Sequence, residues 1–274
     1  MPSCYLPLLK IIHIPFCLLV PAILLYACQS NNQDTGTLTI ATAANMAYAI
    51  EPITAAFTQS TGIPCKTVVG SSGKLTAQIK AGAPYHVLVS ADMQYPFALY
   101  QSGHATSPPI PYAYGQLVLW SMVEGTPVEI TDLTQTQIKH IAIANPKTAP
   151  YGKAALEALT QMGLAQQVDK KLVYGESIAQ TNQFIRSKAV EVGFTSKSAV
   201  LAASNQGYGA WATIADTLYT PITQGLVVLA ACKGTPIENH AIQFISFMQT
   251  AQAKDILQQS GYQVTKAPAL NVMP

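Results

Sequence analysis

The chain has 274 residues, 49% of them hydrophobic and only 10% charged, with a formal net charge of +2. That length can bury a sizeable core in one large domain or two lobes, and so weak a charge leaves no electrostatic footprint for nucleic acid or an anionic membrane surface. None of the five cysteines forms a C-x-x-C pair, and His86, His104, His140 and His240 are scattered, so no metal-ligand spacing is present.

The first segment reads as a leader. Lys10 precedes a run that is apolar from Ile11 to Ala27 apart from His13 and is interrupted by Pro15 and Pro21. A positive start, an apolar stretch and a small residue at the end make a secretion signal, and the run is short and broken for a membrane-spanning helix. Leu25-Tyr26-Ala27-Cys28 resembles a bacterial lipobox, whose cysteine becomes the lipidated new N-terminus. Residues 1–27 are therefore expected to be a signal peptide and Cys28 the lipidation site. QSNNQDTG after it is polar and aperiodic, so residues 28–36 are expected to be a lipid-anchored tether. The expected location is outside the cytoplasm, in the periplasm, held to a membrane through Cys28, since several acyl chains suffice for a stable anchor.

Without Lys10, 14 of the 15 basic side chains face 13 acidic ones. Any anion must then be held by local dipoles rather than by a bulk field. Cys65 and Cys232 remain in the folded part, both in apolar strand-like runs, and either a disulfide between them or two buried thiols fits an exported chain.

In chain order, Leu38-Thr39-Ile40 is a strand leading into an apolar helix through Ile50, Ile53 and Phe57, where Pro52 predicts a kink or a new start at Glu51. Thr67-Val68-Val69 precedes Gly70-Ser71-Ser72-Gly73-Lys74 and an amphipathic helix carrying Leu75 and Ile79, with Gly82 as its stop. Val87-Leu88-Val89 is followed by a helix over Tyr95 to Leu99, Ile141-Ala142-Ile143 by one over Ala154 to Leu164, and Lys171-Leu172-Val173 by one over Ile178 to Ile185. Strands alternating with helices predict βαβ units and parallel sheets. Two longer apolar strands, Leu117 to Trp120 and Leu226 to Ala230, lie at natural boundaries and are expected to carry the chain between lobes. The expected fold is α/β, with two lobes, two hinge strands and a discontinuous first lobe: residues 37–115 and 224–270 in lobe 1, 116–223 in lobe 2, and a ligand cleft between them.

The Gly-Ser-Ser-Gly-Lys loop does not fit a nucleotide. A Walker loop needs its first glycine where Val68 stands and its magnesium hydroxyl where Leu75 stands. A serine cap at Ser71 or Ser72 suits an ordinary helix start, and equally an oxyanion held on free N–H groups at the positive dipole end. Lys74 is then a surface residue. A serine hydrolase is a remote alternative, because the G-x-S-x-G elbow is absent and no histidine or aspartate follows in pattern.

Several separated segments together resemble the periplasmic molybdate-binding proteins of ABC importers: AANMAYAIEPITAAFTQSTG, GSSGKLTAQIKAGAP with VSADMQYP, YGQLVLWS, IAIANPKTAPYGKAALEAL, KLVYGESIAQTNQFI, VGFTSKSA and YTPITQGLVVLA. They run in order over nearly all of the chain from Thr37 to Tyr262. The resemblance implies a type II periplasmic-binding-protein fold and a tetrahedral oxyanion held by neutral donors. It places the oxyanion-binding positions at Asn45, Ser72, and the main-chain N–H groups of Tyr151 and Ile178, with Ala44 and Ser196 as weaker candidates. It implies capture of molybdate, with tungstate as well, and delivery to an ABC permease and its ATPase, by a monomer that is not an enzyme and needs no cofactor. Another small oxyanion, sulfate or phosphate, is the alternative ligand. His86 departs from the family pattern, which commonly has an acidic residue there; it is either a neutral replacement or a change at the cleft mouth, and the departure bears on ion preference rather than on the fold.

Overall fold

The computed structural model describes Met1, residues 36–204 and residues 209–264. The expected signal peptide, Cys28 and nearly all of the tether lie outside the described residues. β1 (Leu38–Ala43) runs into a 3-10 turn at Ala44–Met46 and then α1 (Ile50–Thr61). β2 (Cys65–Gly70) leads to α2 (Ser72–Lys80), and β3 (Val87–Val89) to α3 (Gln94–Gln101). β4 (Ile110–Gly115) passes through Gln116 into β5 (Leu117–Ser121). Then come β6 (Ile141–Ala144), α4 (Pro150–Gln161), the short α5 (Ala165–Val168), β7 (Leu172–Gly175) and α6 (Ile178–Arg186). β8 (Val192–Ser196), α7 (Lys197–Ser204), β9 (Ala210–Thr213), β10 (Ile222–Val228), α8 (Pro236–Phe247) and α9 (Ala251–Gln259) follow.

These strands form two five-stranded sheets, ordered β2-β1-β3-β10-β4 and β7-β6-β8-β5-β9. The result is a two-lobed α/β fold with one sheet in each lobe. Both sheets are mixed rather than parallel. β1 is parallel to β2 and β3, but β10 is antiparallel to β3 and β4. In the second sheet β6 is parallel to β7 and β8, while β5 is antiparallel to β8 and β9. The alternation of strand and helix captures only the βαβ portions. The strands beside each crossing enter from the other lobe, so the crossover rule that enforces parallel pairing does not act on them. Each long apolar strand stays within one sheet, and the chain changes lobe at Gln116 and again between β9 and β10.

Two local outcomes follow from backbone chemistry. Pro52 is the third residue of α1, in the first turn, where its missing N–H would have had no intrahelical acceptor. The helix therefore starts anew after the 3-10 turn. The proline-rich run before Gly115 contains an edge strand, β4, a position that tolerates Pro111 because edge N–H groups need no ladder partner.

The first lobe closes its core with aromatic edges, Phe57 meeting Phe244 at 5.3 Å and Phe247 at 5.6 Å between ring centroids. Such pairs add about 1 kcal/mol beyond area burial. In the second lobe Leu119, Ile141, Ile143, Leu159 and Phe194 pack under β5, β6 and α4. Cys65 and Cys232 belong to the first-lobe core and are both free thiols, so the disulfide reading does not hold. Burial pushes both thiols above their usual range.

His86 lies beside the start of β1, away from its Ala43 end. Its Nδ1 accepts from the Thr39 N–H at 2.9 Å, and its N–H donates to Thr39 O, so it extends β3 beside the start of β1. At about 3.3 Å per residue this is roughly 13 Å from the Ala43 end of that strand. Desolvation lowers its pKa from 6.5, and protonation would also abolish the Nδ1 acceptor. The neutral imidazole thus contributes stability present above about pH 6.5 and lost as pH falls through the lowered folded-state value. His86→Asn places an amide oxygen where Nδ1 stands. Urea midpoints of the variant are expected to match the wild type at pH 7.5 and to fall less steeply toward pH 5; parallel pH profiles would remove His86 as the cause.

Candidate functional site

Four chain segments begin helical turns at one place between the lobes. The carboxyl ends of β1, β2, β6 and β7 feed the 3-10 turn, α2, α4 and α6. A small cavity there is lined by Ala43, Ala44, Asn45, Ser71, Ser72, Ala91, Ala149, Pro150, Tyr151 and Ile178, with about 10 Å³ open to the centre of a water molecule. That is close to the least volume that holds a single small group, and it excludes anything extended. The lining contains no charged side chain. What it offers is helix starts, whose first N–H groups have no intrahelical acceptor and carry partial positive charge.

Each start is built to leave donors free. Ser71 is the N-cap of α2 with extended φ and ψ, yet its side chain makes no capping bond. Its hydroxyl is buried and has no hydrogen-bond partner. An orphaned buried hydroxyl costs about 1–3 kcal/mol, and its place in the cavity lining leaves Ser71 free to donate to a group there. Ser72, 1% exposed, accepts from the Ala91 N–H at 3.0 Å, and that bond uses an oxygen lone pair rather than its proton. Its backbone N–H stands at the first position of α2. α4 begins with Pro150 at its first position, so the first available N–H is that of Tyr151. Ile178 opens α6 after Ser177, whose hydroxyl accepts from the Gln180 N–H.

The structure thus gathers Ala44, Asn45, Ser72, Tyr151 and Ile178 around one cavity and adds Ser71. Ser196 is elsewhere: fully buried at the end of β8, it bonds to the Ser198 hydroxyl at 2.9 Å. Ser198 in turn donates to Asn45 O at 2.8 Å, so this corner supports the 3-10 turn from behind. Among the described residues no cluster of three or more histidine, cysteine or acidic side chains could hold a metal.

A layer of buried polar groups that the sequence did not single out surrounds Asn45. Its Nδ2 donates to Gln224 Oε1 at 2.9 Å and to the Tyr262 hydroxyl at 3.0 Å, and Tyr262 donates back to Asn45 O at 2.7 Å. Tyr112 donates to Gln224 Oε1 at 2.8 Å, and Gln224 Nε2 donates to the Tyr151 hydroxyl at 3.4 Å. Burial raises the pKa of Tyr112, Tyr151 and Tyr262 far beyond the neutral range, so all three stay protonated. Gly115 makes room for this cluster, since a Cβ there would stand 2.1 Å from the Tyr151 hydroxyl.

The lobes meet across the cavity. Gly73 N–H donates to Thr148 O at 2.9 Å, Tyr95 hydroxyl to Lys147 O at 3.1 Å, and Arg186 to the Tyr48 hydroxyl at 2.6 Å. Lys74 pairs with Glu176 at 2.5 Å, with both side chains more than half exposed. A Cβ at position 73 would stand 2.9 Å from Thr148 Cα, so only glycine lets the lobes approach this closely.

Two lobes closing on a small cavity of neutral, preorganised donors define a binding protein for a compact anion. The chain belongs to the family of bacterial extracellular solute-binding proteins, whose family model matches residues 38–263. It is 36% identical over 232 residues to the molybdate-binding protein ModA of Rhodobacter capsulatus, covering 83% of this chain and 88% of that one. It is 26% identical to a putative ABC transporter substrate-binding lipoprotein, YvgL, of Bacillus subtilis, over 88% of this chain and 93% of that one. The solved periplasmic molybdate-binding protein of Azotobacter vinelandii superposes with a TM-score of 0.78 at 33% identity, covering 84% of this chain and all of that one.

Ser71→Ala separates binding from stability. Without added ion the variant is expected to melt at or above the wild-type temperature, because an unpaired hydroxyl is removed. Anion affinity should fall about 10- to 100-fold, the worth of one hydrogen bond to a charged group. Unchanged affinity in calorimetry would place the ion away from α2.

Proposed function

We propose that the protein captures molybdate, and tungstate with it, between its two lobes and delivers the ion to an ABC permease and its ATPase. The observation that carries this reading is the unpartnered Ser71 hydroxyl in an uncharged cavity fed by four helical starts. A tetrahedral oxydianion can accept from several donors at once, and the site supplies Ser71, Ser72 and the N–H groups of Ser72, Tyr151 and Ile178. The two molybdate-binding relatives, matched over most of their length, support the choice of ion. No bond is made or broken: the ion is trapped by closure and released on opening, and closure strengthens each hydrogen bond by excluding water. Tyr151 is the one titratable residue in the cavity lining and burial keeps its phenol protonated, so affinity should not vary with pH across the neutral range.

The same reading places the mature chain outside the cytoplasm as a monomer tethered through a lipid on Cys28, with the lobes at residues 37–115 and 224–270 and at 116–223. The lipobox-like Leu25 to Cys28 and the lipoprotein relative support the anchor. Among the described residues no helix is long and apolar enough to cross a membrane. Cys28→Ser is expected to shift the protein from the membrane pellet to the soluble fraction and to abolish labelling by radioactive palmitate; a variant that still pellets and labels would end the lipid-anchor reading.

Calorimetry on the chain from Thr37 onward, titrated separately with molybdate, tungstate, sulfate and phosphate, tests the ligand. Molybdate and tungstate are expected to bind below about micromolar, or roughly −8 kcal/mol, with sulfate and phosphate weaker. If none of the four binds that tightly the reading fails, and a preference for sulfate or phosphate changes the ion.

A further inference from the structure

Asn45 lines the cavity and is 2% exposed, yet its amide is turned so that both contacts of Nδ2 lie inside the protein while Oδ1 has no partner. An orphaned acceptor in a residue that lines an anion cavity conflicts with the donors that Ser71, Ser72, Tyr151 and Ile178 can supply there. The conflict has a definite resolution, because the two ends of an amide differ only in which carries the protons. Turning Asn45 over places Oδ1 against Gln224, and Gln224 accommodates this only by turning over as well.

After the double reversal each internal bond has a replacement. Gln224 Nε2 occupies the former Oε1 position and donates to Asn45 Oδ1 across the same 2.9 Å and to Tyr112, which turns its proton from Gln224 to Ser90 O. Tyr151 donates to Gln224 Oε1 where it formerly accepted, and Tyr262 turns its proton from Asn45 O, which keeps the Ser198 hydroxyl as donor, to Asn45 Oδ1 at the former 3.0 Å contact. The tyrosine hydroxyls permit this because each can be donor or acceptor, and burial keeps them protonated. The net result at the cavity is that the Asn45 amide changes from an orphaned acceptor to an N–H donor.

We propose that Gln224 is the positioning residue for the Asn45 amide: the two reverse together when an oxyanion enters, so that Asn45 donates to the ion. This rests on the oxyanion reading above. Gln224 is fully buried on β10, where the register with β4 shifts between Gln224 and Gly225. A bulge of this kind re-aims one side chain, and here it directs the glutamine of the returning strand at Asn45 in one lobe and Tyr151 in the other.

The test is a double-mutant cycle with molybdate calorimetry on the wild type, Gln224→Met, Asn45→Ala and the double variant, with urea unfolding to check the fold. Gln224→Met is expected to weaken molybdate about tenfold in the wild-type background and to change it less than about twofold once Asn45 is alanine. Losses that multiply in the double variant would overturn the proposal, because Gln224 would then act independently of Asn45. Nuclear Overhauser contacts in the wild type give a second reading that survives if Gln224→Met fails to fold. On saturation with molybdate the Asn45 side-chain protons should lose contact with the Tyr262 ring, and those of Gln224 should move from the Tyr151 ring toward Tyr112. Contacts that stay in place at saturation would overturn the coupled reversal while leaving ion binding intact. A wild type that binds none of the four oxyanions would overturn the functional reading and this inference with it.

Discussion

An anion held without a counter-charge is the constraint on which the rest of this structure depends. The cavity lining has no lysine, arginine or histidine, so the whole desolvation cost of an ion must be offset by hydrogen bonds already pointing at it. Helix starts meet that demand because their N–H groups are fixed by the backbone and need no side-chain ordering. The contributions of α2 and the 3-10 turn come from one lobe and those of α4 and α6 from the other, so neither lobe holds a complete site. Binding and closure are therefore one event. The exposed Lys74–Glu176 pair at the mouth cannot account for closure, since such pairs contribute about 0–1 kcal/mol. On the proposed reading, an ion that accepts from both lobes adds to the Gly73 to Thr148 bond as the larger effect.

Topology makes that convergence possible. In open α/β sheets, ligands collect outside the carboxyl ends of parallel strands, and β1, β2, β6 and β7 all end facing the cleft. The antiparallel strands β5 and β10 serve a different purpose, bringing the chain into and out of each lobe next to the site. Gly115 and Gln224 lie at these passages, and both touch Tyr151 of the second lobe. The hinge region and the binding site therefore share side chains.

Much of this was legible in the sequence because it is local. The alternation of apolar strands with 3.6-residue patterns marks β1, β3, β6 and β7 with their helices, and two adjacent serines between glycines mark a helix start. The choice between Ser71 and Ser72 was not legible, because it depends on which hydroxyl the cap geometry leaves unbonded and which one meets Ala91. β4 was hidden by its prolines, which argue against a strand unless its edge position is known. The placement of His86 was not legible from its neighbours in sequence, since only the pairing of β3 with β1 shows which end of the sheet it occupies. The network around Asn45 joins residues 179 and 217 positions away, and no periodicity or motif connects such positions.

The layer behind the cavity obeys the same rule as the cavity itself. A lysine or arginine behind Asn45 would attract an anion more strongly, but a buried charge must be compensated when the site opens, and removing its partner costs about 3–5 kcal/mol. Three phenols and two amides avoid that cost because each can exchange donor and acceptor roles without changing its charge. Their raised pKa values keep the protons in place over the neutral range, so the network can rearrange its hydrogen bonds while its electrostatics stay fixed. A site that must both take and surrender its ion is better served by reversible dipoles than by a permanent cation, because a dipole that turns toward the ion can turn away again when the lobes part.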